Sequence, residues 1–493
     1  MGWHYAALED RFRRIGHIEG ALSMLHWDTA VVMPRKASAG RGEQLAALKR
    51  SAHDLLTAEE TGELVAGAAA EDGLDPWQAA NLREMTRRYR HARAIEPALV
   101  EAFTRATTVC EMTWREARAS ADFAMLQPHM EEVVRLVQEM AGVSGAALGL
   151  SPYDALLDSF QPDLRDERIA PLFAELAEAL PPIIESALAA QGPAPQQPRG
   201  PFPIAAQRAL ARRLMERLGF DFEAGRLDES THPFCGGVPG DIRITTRYRE
   251  DEVASALMGV LHETGHALYE AGLPQQWLGQ PVGEARGMAA HESQSLLIEM
   301  QACRSPAFIR FMGGELASAF GEDPAFAPDN MRRLYHRVAR SHVRVDADEA
   351  TYPLHVVLRW RLERAMVTGD LAVADLPAAW NDGMKDLLGI VPPNDALGCL
   401  QDIHWPSGAF GYFPCYTLGA MLAAQLFEAA QAELGDLDPA LEEGRFGDLL
   451  GWLREKVHGR ASQPTLDGMV RDATGEPLGA RAFLDHLRRR YVP

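Results

Sequence analysis

The chain has 493 residues, of which 47% are apolar and 24% charged, a composition able to bury a large core and unlike that of a disordered segment. Asp and Glu outnumber Lys and Arg by 69 to 49, and a net charge near −20 leaves no basic footprint for nucleic acid. The first twenty residues contain no apolar h-region and no uninterrupted apolar run reaches about 18 residues, so the reading is a cytoplasmic protein with no membrane partner.

Helical signals dominate from the start. The stretches YAALEDRFRRIGHIEGALSMLHWD, PHMEEVVRLVQEMAGV and RIAPLFAELAEALPPIIESALAA carry apolar residues at spacings of three and four with charges between them. The fold expected is mainly α. One Pro-rich stretch, QGPAPQQPRGPFP at 191–203, interrupts this pattern. Because periodicity of the same style continues on both sides, it reads as a surface loop within a single unit spanning 1–493 rather than a linker. The five cysteines, Cys110, Cys235, Cys303, Cys399 and Cys415, are widely spaced with no CxxC, which argues against a disulfide framework or a thiolate metal site.

One segment breaks the helical style. In PFCGGVPGDIRITTRY, residues 233–248, Gly and Pro turn signals precede an alternation that puts Ile242 and Ile244 on one face and Asp241, Arg243 and Thr245 on the other. A strand is expected here, in a small β-sheet. Such a strand can hold an extended peptide by backbone pairing, or it can simply cap a helical core.

The next segment, DEVASALMGVLHETGHALYEA, reads as a helix over 251–271, with acids in its first turn and Gly272 and Pro274 beyond its end. His262 and His266 lie one turn apart on it, so both imidazoles can reach one ion at about 2.0–2.1 Å. Glu263 flanks them, close enough to act on a water whose pKa a metal has lowered. The bland alternative is a pair of surface histidines in i,i+4 contact. A catalytic zinc also needs a third protein ligand and one open position. The following helical stretch, GEARGMAAHESQSLLIEMQACR, offers Glu284, Glu292 and Glu299, and spacing does not choose among them. Glu292 and Glu299 are seven apart and share a face, so one can ligate while the other supports. His291 reads as a satisfied packing histidine.

Taken with later segments, these residues resemble the carboxypeptidase Taq family of HExxH metallocarboxypeptidases. The family's DxRxT appears as DIRIT (Asp241, Arg243, Thr245), followed by HETGH and by HESQ at 291–294. IRxxAD appears as VRVDAD at 343–348 and GxxQDxHW as GCLQDIHW at 398–405. The resemblance covers most of the chain, with functional motifs at 233–305 and 341–419. It implies a helical, cleft-shaped fold with a small sheet beside the active site, and metal ligation by His262, His266 and Glu292. It further implies Glu263 as general acid and base, zinc or cobalt as cofactor, a homodimer, and release of single residues from peptide C-termini with broad preference. The departures are Val343 at an apolar position and Cys415 where a hydroxyl residue is expected, a change that would alter substrate preference if the site lined the pocket.

A carboxypeptidase must also hold a free α-carboxylate, for which a guanidinium fork is suited. Arg344, inside the IRxxAD-like motif, is the anchor this reading selects, against the alternative of an ion pair with Asp346 or Asp348. Arg359 and Arg361 fall in what reads as an ordinary amphipathic helix. His404, Tyr412 and Tyr416, in a Gly-rich loop, are candidate donors to the oxyanion of the reaction. Two rival functions share these residues: an oligopeptidase or endopeptidase with a cleft open at both ends, and a peptide-binding module without catalysis, against which the intact HETGH counts.

Overall fold

The computed structural model describes residues 2–492. It is 70% helical with one small sheet of three strands, as the periodicity led us to expect. Helix α1 (Trp3–Val31) buries Tyr5, Leu8, Phe12, Ile15, Leu22 and Trp27, a stripe at helical spacing. Helix α2 (Pro76–Ala94) opens with a capping box in which Asp75 accepts from the backbone of Gln78 while the Gln78 side chain accepts from the backbone N–H of Asp75. Helices α3 (Phe123–Leu148) and α4 (Asp166–Ala190) follow, the latter uninterrupted despite Pro171, Pro181 and Pro182.

Residues 191–203 run without helix or strand and are pinned at intervals. The Gln191 side chain donates to the carbonyl of Val338, the Gln196 N–H to Asn330, and the Phe202 N–H to the carbonyl of Glu250.

The sheet comprises β1 (Gly225–Glu229), β2 (Phe234–Val238) and β3 (Asp241–Thr246), in the order β1-β3-β2, with β1 parallel and β2 antiparallel to β3. Ile242 and Ile244 are buried as their alternation requires. The expectation that the DIRIT strand offers its backbone to a peptide is corrected by this order. That strand, β3, is central, and its donors and acceptors are engaged on both sides. The outer edges belong to β1 and β2.

Helix α5 (Ala254–Ala271) carries HETGH and begins one turn later than its acidic residues suggest, because Glu252 accepts from the Ser255 N–H from outside the helix. Helix α6 (Met288–Leu296) continues directly into a π-helical turn, Leu297–Cys303. Helices α7 (Tyr352–Thr368) and α8 (Pro414–Leu434) complete the surroundings of the site. Helix α8 is buried nearly all round: Cys415, Leu418 and Met421 enter a core shared with α3, α4 and α7, whereas Leu422, Leu426 and Ala430 enter a second core shared with α5 and the π turn. It is the common wall of two cores, and the site lies against it.

Candidate active site

Two glycines set the spacing of the helices that carry the site. A Cβ at Gly265, inside HETGH, would sit 2.5 Å from the Gln294 carbonyl oxygen and 2.6 Å from the Ser295 Cα. A Cβ at Gly419 would sit 2.9 Å from the Cβ and Cγ of Glu292. Helices α5 and α8 therefore close on α6 at distances no side chain would allow. The turn leading into α6 is fixed as well, because the buried Arg286 pairs with Glu84 on α2 at 2.7 Å and its backbone N–H donates to the Tyr269 hydroxyl on α5.

This packing brings His262, His266 and Glu292 together, with one potential ligand atom from each lying within 4.8 Å of the others. Glu292 Oε2 is 3.4 Å from His266 Nε2 and 4.0 Å from His262 Nε2. The far nitrogen of each ring is engaged. His262 Nδ1 contacts Glu299 Oε2 at 2.9 Å, and Glu299 is itself paired with Arg304 at 2.6 Å. His266 Nδ1 contacts His291 Nδ1 at 2.6 Å, and His291 Nε2 contacts Glu270 Oε1 at 2.7 Å. Since the carboxylates accept, His262 Nδ1, His266 Nδ1 and His291 Nε2 carry protons, and Nε2 of both His262 and His266 faces Glu292, where His262 would give up its second proton to a bound cation. Two imidazole nitrogens and one carboxylate oxygen suit zinc or cobalt better than the hard, all-oxygen cations. The three side chains are 12–22% exposed, so a ligand can reach them.

His291 is thus more than a packing residue, since it joins His266 to Glu270. Of the three glutamates that spacing left open, Glu292 faces the shared point and Glu299 sits behind His262. Glu284 lies apart, paired with Arg88.

The protonation states reflect a local excess of carboxylates. Burial disfavours a charge on His262, but Glu299 and Glu292 outweigh it and push its pKa up to about 10. Burial and then His291 lower His266 to about 4. Glu292 is held at about 2 against its burial by His266 and His262. Glu263, 8% exposed and on the same helix, is pushed up to about 7, chiefly by burial.

A second polar cluster lies beside the first. Arg344 Nε and Nη2 donate to Asp402 Oδ1 at 3.1 and 2.8 Å, and Nη1 donates to the Tyr352 hydroxyl at 2.8 Å. The ion pair is with Asp402, not with Asp346 or Asp348. Asp348 instead accepts from the backbone N–H of Ala350 and Thr351. Arg359, read from the sequence as part of an ordinary amphipathic helix, is fully buried and donates to Asp402 Oδ2 at 2.6 Å and to Gln401 at 2.7 Å. Two guanidinium groups therefore share one carboxylate. His404 Nε2 lies 3.2 Å from the Tyr416 hydroxyl, and burial lowers its pKa to about 4. Tyr352, Tyr412 and Tyr416 are all held protonated, first by burial and in part by the charge of Glu292, and their rings pack edge to face beside Arg344, whose guanidinium carbon is 5.0 Å from the Tyr416 ring centre.

The loop bearing His404 and Tyr412 is fastened by Glu363, which is completely buried and has no cation partner among the described residues. It accepts from the Tyr153 hydroxyl at 2.6 Å, Trp405 Nε1 at 3.1 Å and the Gly411 N–H at 3.3 Å. Burial pushes its pKa up to about 7. Cys415 is 1% exposed in the core, and burial raises its thiol pKa far above neutrality, so it lines no open pocket.

The DIRIT side chains play different parts. Arg243 chelates Asp241, with Nε 2.9 Å from Oδ1, and its guanidinium carbon lies 4.4 Å from the Trp27 ring centre on α1. Thr245 does not share their open face. It is fully buried, and its hydroxyl oxygen accepts from the Phe234 N–H at 3.1 Å, tying β2 to β3. Ile242 and Ile244 of β3 share a small core with Val260 and Ala267 of the HETGH helix, and Cys235 of β2 packs against its edge.

Two imidazoles and a carboxylate converging beside a further buried glutamate, in a helical frame with a small sheet, define a metallopeptidase centre. The sequence matches the family model Carboxypeptidase Taq (M32) metallopeptidase over residues 7–491. Thermostable carboxypeptidase 1 of Thermus thermophilus is 38% identical, with 99% of this chain and 98% of that protein covered. Carboxypeptidase 1 of Bacillus subtilis is 35% identical over 98% and 97%. Among solved structures, Trypanosoma cruzi metallocarboxypeptidase 1 superposes with a TM-score of 0.98 at 40% identity, covering 99% of both chains. The chain belongs to the carboxypeptidase Taq (M32) family and is a metallocarboxypeptidase, a peptide hydrolase.

Proposed function

We propose that the chain removes single amino acids from the free C-termini of peptides, with zinc, or cobalt in its place, held by His262, His266 and Glu292. The observation that carries this reading is the pairing of two unlike clusters, one rich in carboxylates and one with two guanidiniums on a single carboxylate. When bound, the metal polarises the scissile carbonyl and makes water a stronger acid. Glu263 takes the water's proton at its carboxylate and passes it to the leaving amine. Its raised pKa suits both halves of that task.

Arg344 holds the substrate's α-carboxylate. Asp402 aligns its fork, and Arg359 behind Asp402 leaves the pair with a net positive charge for the incoming anion. His404, Tyr412 and Tyr416 donate to the oxyanion as negative charge develops there; at neutral pH both tyrosines keep their protons, and the neutral imidazole of His404 retains one N–H. The outer edge of β2, rather than β3, aligns the peptide backbone. Asp241 and Arg243 shape the wall next to α1, and Thr245 supports them from within. We take the working unit to be a homodimer, as the family resemblance implies.

The test uses one defined peptide as its free acid and as its C-terminal amide, each with and without chelator, with products read by mass. Stepwise loss of C-terminal residues from the free acid alone, abolished by chelator, is expected. Internal fragments, or equal cleavage of the amide, would overturn the reading.

A further inference from the structure

Away from the catalytic centre, the helix Pro328–Tyr335 and the C-terminal helix Arg481–Tyr491 end side by side. Between their last turns lies a cavity of about 520 Å³ lined by Arg332, Arg333, Arg337, Arg489 and Arg490, with His336. No carboxylate lines it among the described residues. It adjoins a second cavity of about 290 Å³ with which it shares Arg332, His336, Arg489 and Arg490, so the two form one cleft. The narrower end does contain acids, Glu428 and Asp438, and Glu428 is already paired with Arg481.

The charge pattern is the unusual feature. This chain carries a net charge near −20, and most of its arginines sit on a carboxylate. Among the described residues of this cleft only Arg490 does, donating to Glu349 Oε2 at 2.9 Å and to the Met300 carbonyl at 2.7 Å. Arg333 has a single long contact with Asn330, and Arg332, Arg337 and Arg489 have no acidic partner among the described residues. Cations at helix C-termini gain about 0.3–1 kcal/mol each from the dipole, which explains one or two arginines per helix end. It does not explain four arginines on one concave wall that have no acidic partner among the described residues, since like charges at such spacing oppose one another.

His336 also has a defined orientation. Its Nε2–H donates to the Arg304 carbonyl at 2.7 Å, which turns its other nitrogen away from that bond. Ala187, Ala190, Val338 and Val492 give the wall an apolar part, beside Gln191 and Tyr491. A planar guanidinium fork matches the oxygens of a phosphoryl group in two-point contacts, and several forks on a concave surface match an anion of two or more charges.

We propose that this cleft is a binding site for a phosphoryl anion, either free phosphate or the phosphate of a nucleotide whose base lies on the apolar wall. Nothing in the peptidase reading requires it, and binding can be measured without turnover.

The experiment is calorimetric titration of the metal-loaded full chain, at constant ionic strength, with inorganic phosphate, with adenosine 5′-monophosphate and with adenosine. Saturable one-to-one binding of the phosphate-bearing probes, and none of adenosine, is expected. Tighter binding of the nucleotide than of phosphate points to the nucleotide as the ligand, and equal affinity points to free phosphate. The double variant Arg333→Gln/Arg489→Gln should bind at least about tenfold more weakly, because two charge-assisted forks are lost. Its kcat/KM on a peptide in chloride buffer should stay within about twofold of the parent, since exposed substitutions far from a site act weakly. Arg337→Gln provides a second, independent lowering of affinity. Absence of binding, or unchanged affinity in these variants, as an anion sitting on the catalytic metal would give, overturns the proposal.

Discussion

The two polar clusters of the site are opposites in charge. Around His262 and His266 stand Glu263, Glu292 and Glu299 with Arg304 behind them, and the shortage of positive charge is relieved by a proton on His262. Around Asp402 stand Arg344 and Arg359, so one carboxylate answers two cations. The first arrangement favours a divalent cation and the second an anion. On the proposed reading, a peptide terminus brings a carbonyl to polarise at one end and a carboxylate at the other, and the two imbalances would be complementary to a single substrate.

The largest effect is expected from Glu292→Ala, which removes a charged donor from the cation-seeking cluster: metal content should fall far below one per chain, and turnover with it, whereas Glu284→Ala should leave both intact. Full metal occupancy in Glu292→Ala would refute the ligand set. Glu263→Gln should keep its metal yet lose about 10²–10⁴ in kcat, because an amide neither accepts nor delivers the proton. Wild-type turnover in that variant would remove Glu263 from the mechanism.

The anion-seeking side is tested by Arg344→Ala. It should lose about 2–5 kcal/mol in kcat/KM on free-acid peptides and discriminate less against the amide, with metal content unchanged. If it trims free acids at the parent rate, the carboxylate is held elsewhere. Glu299→Gln asks how far the support behind a ligand matters: metal affinity should drop about 10–100-fold, measured by competition with a chelator of known affinity.

The smallest effect concerns stability. Glu363 has its folded pKa raised from 4.5 to about 7 by burial, so the stability it contributes is full below pH 4.5 and is lost as pH rises through about 7. The loss is on the order of 3 kcal/mol at most. Melting curves of the metal-free protein across that window should fall more steeply for the parent than for Glu363→Gln, and parallel curves would show that the carboxyl ionises freely.

Much of the cation-seeking cluster was legible because its chemistry is local. HETGH sits on one helix whose apolar stripe, Leu257, Val260, Leu261 and Leu268, is visible in the sequence, and Glu292 came from a motif nearby. The supporting contacts were not legible, because they depend on how helices cross. Glu299 reaches His262 from 37 residues away, and the tight crossing at Gly265 leaves no periodic mark. The anion-seeking cluster was half legible. The VRVDAD motif pointed to Arg344, but its partner Asp402 lies 58 residues on, so the nearer aspartates looked equally plausible. Arg359 was misread because a buried arginine, once paired, looks from sequence like a solvated one. The strand was correctly found, yet its central place in the sheet depends on β1, whose sequence, GRLDE, carries no clear alternation.

The π turn at Leu297–Cys303 has a consequence for chain length. In a regular α-helix, residues seven apart stack nearly in line, and Glu292 and Glu299 would approach His262 from the same side. The wider turn swings Glu299 around the axis, so that one glutamate meets Nε2 and the other Nδ1 of the same ring. Removing one residue between positions 296 and 299 would restore α-helical winding and carry Glu299 away from Nδ1, although every ligand would still be present. Within this stretch the protein can tolerate changes of identity more readily than a change in the number of residues.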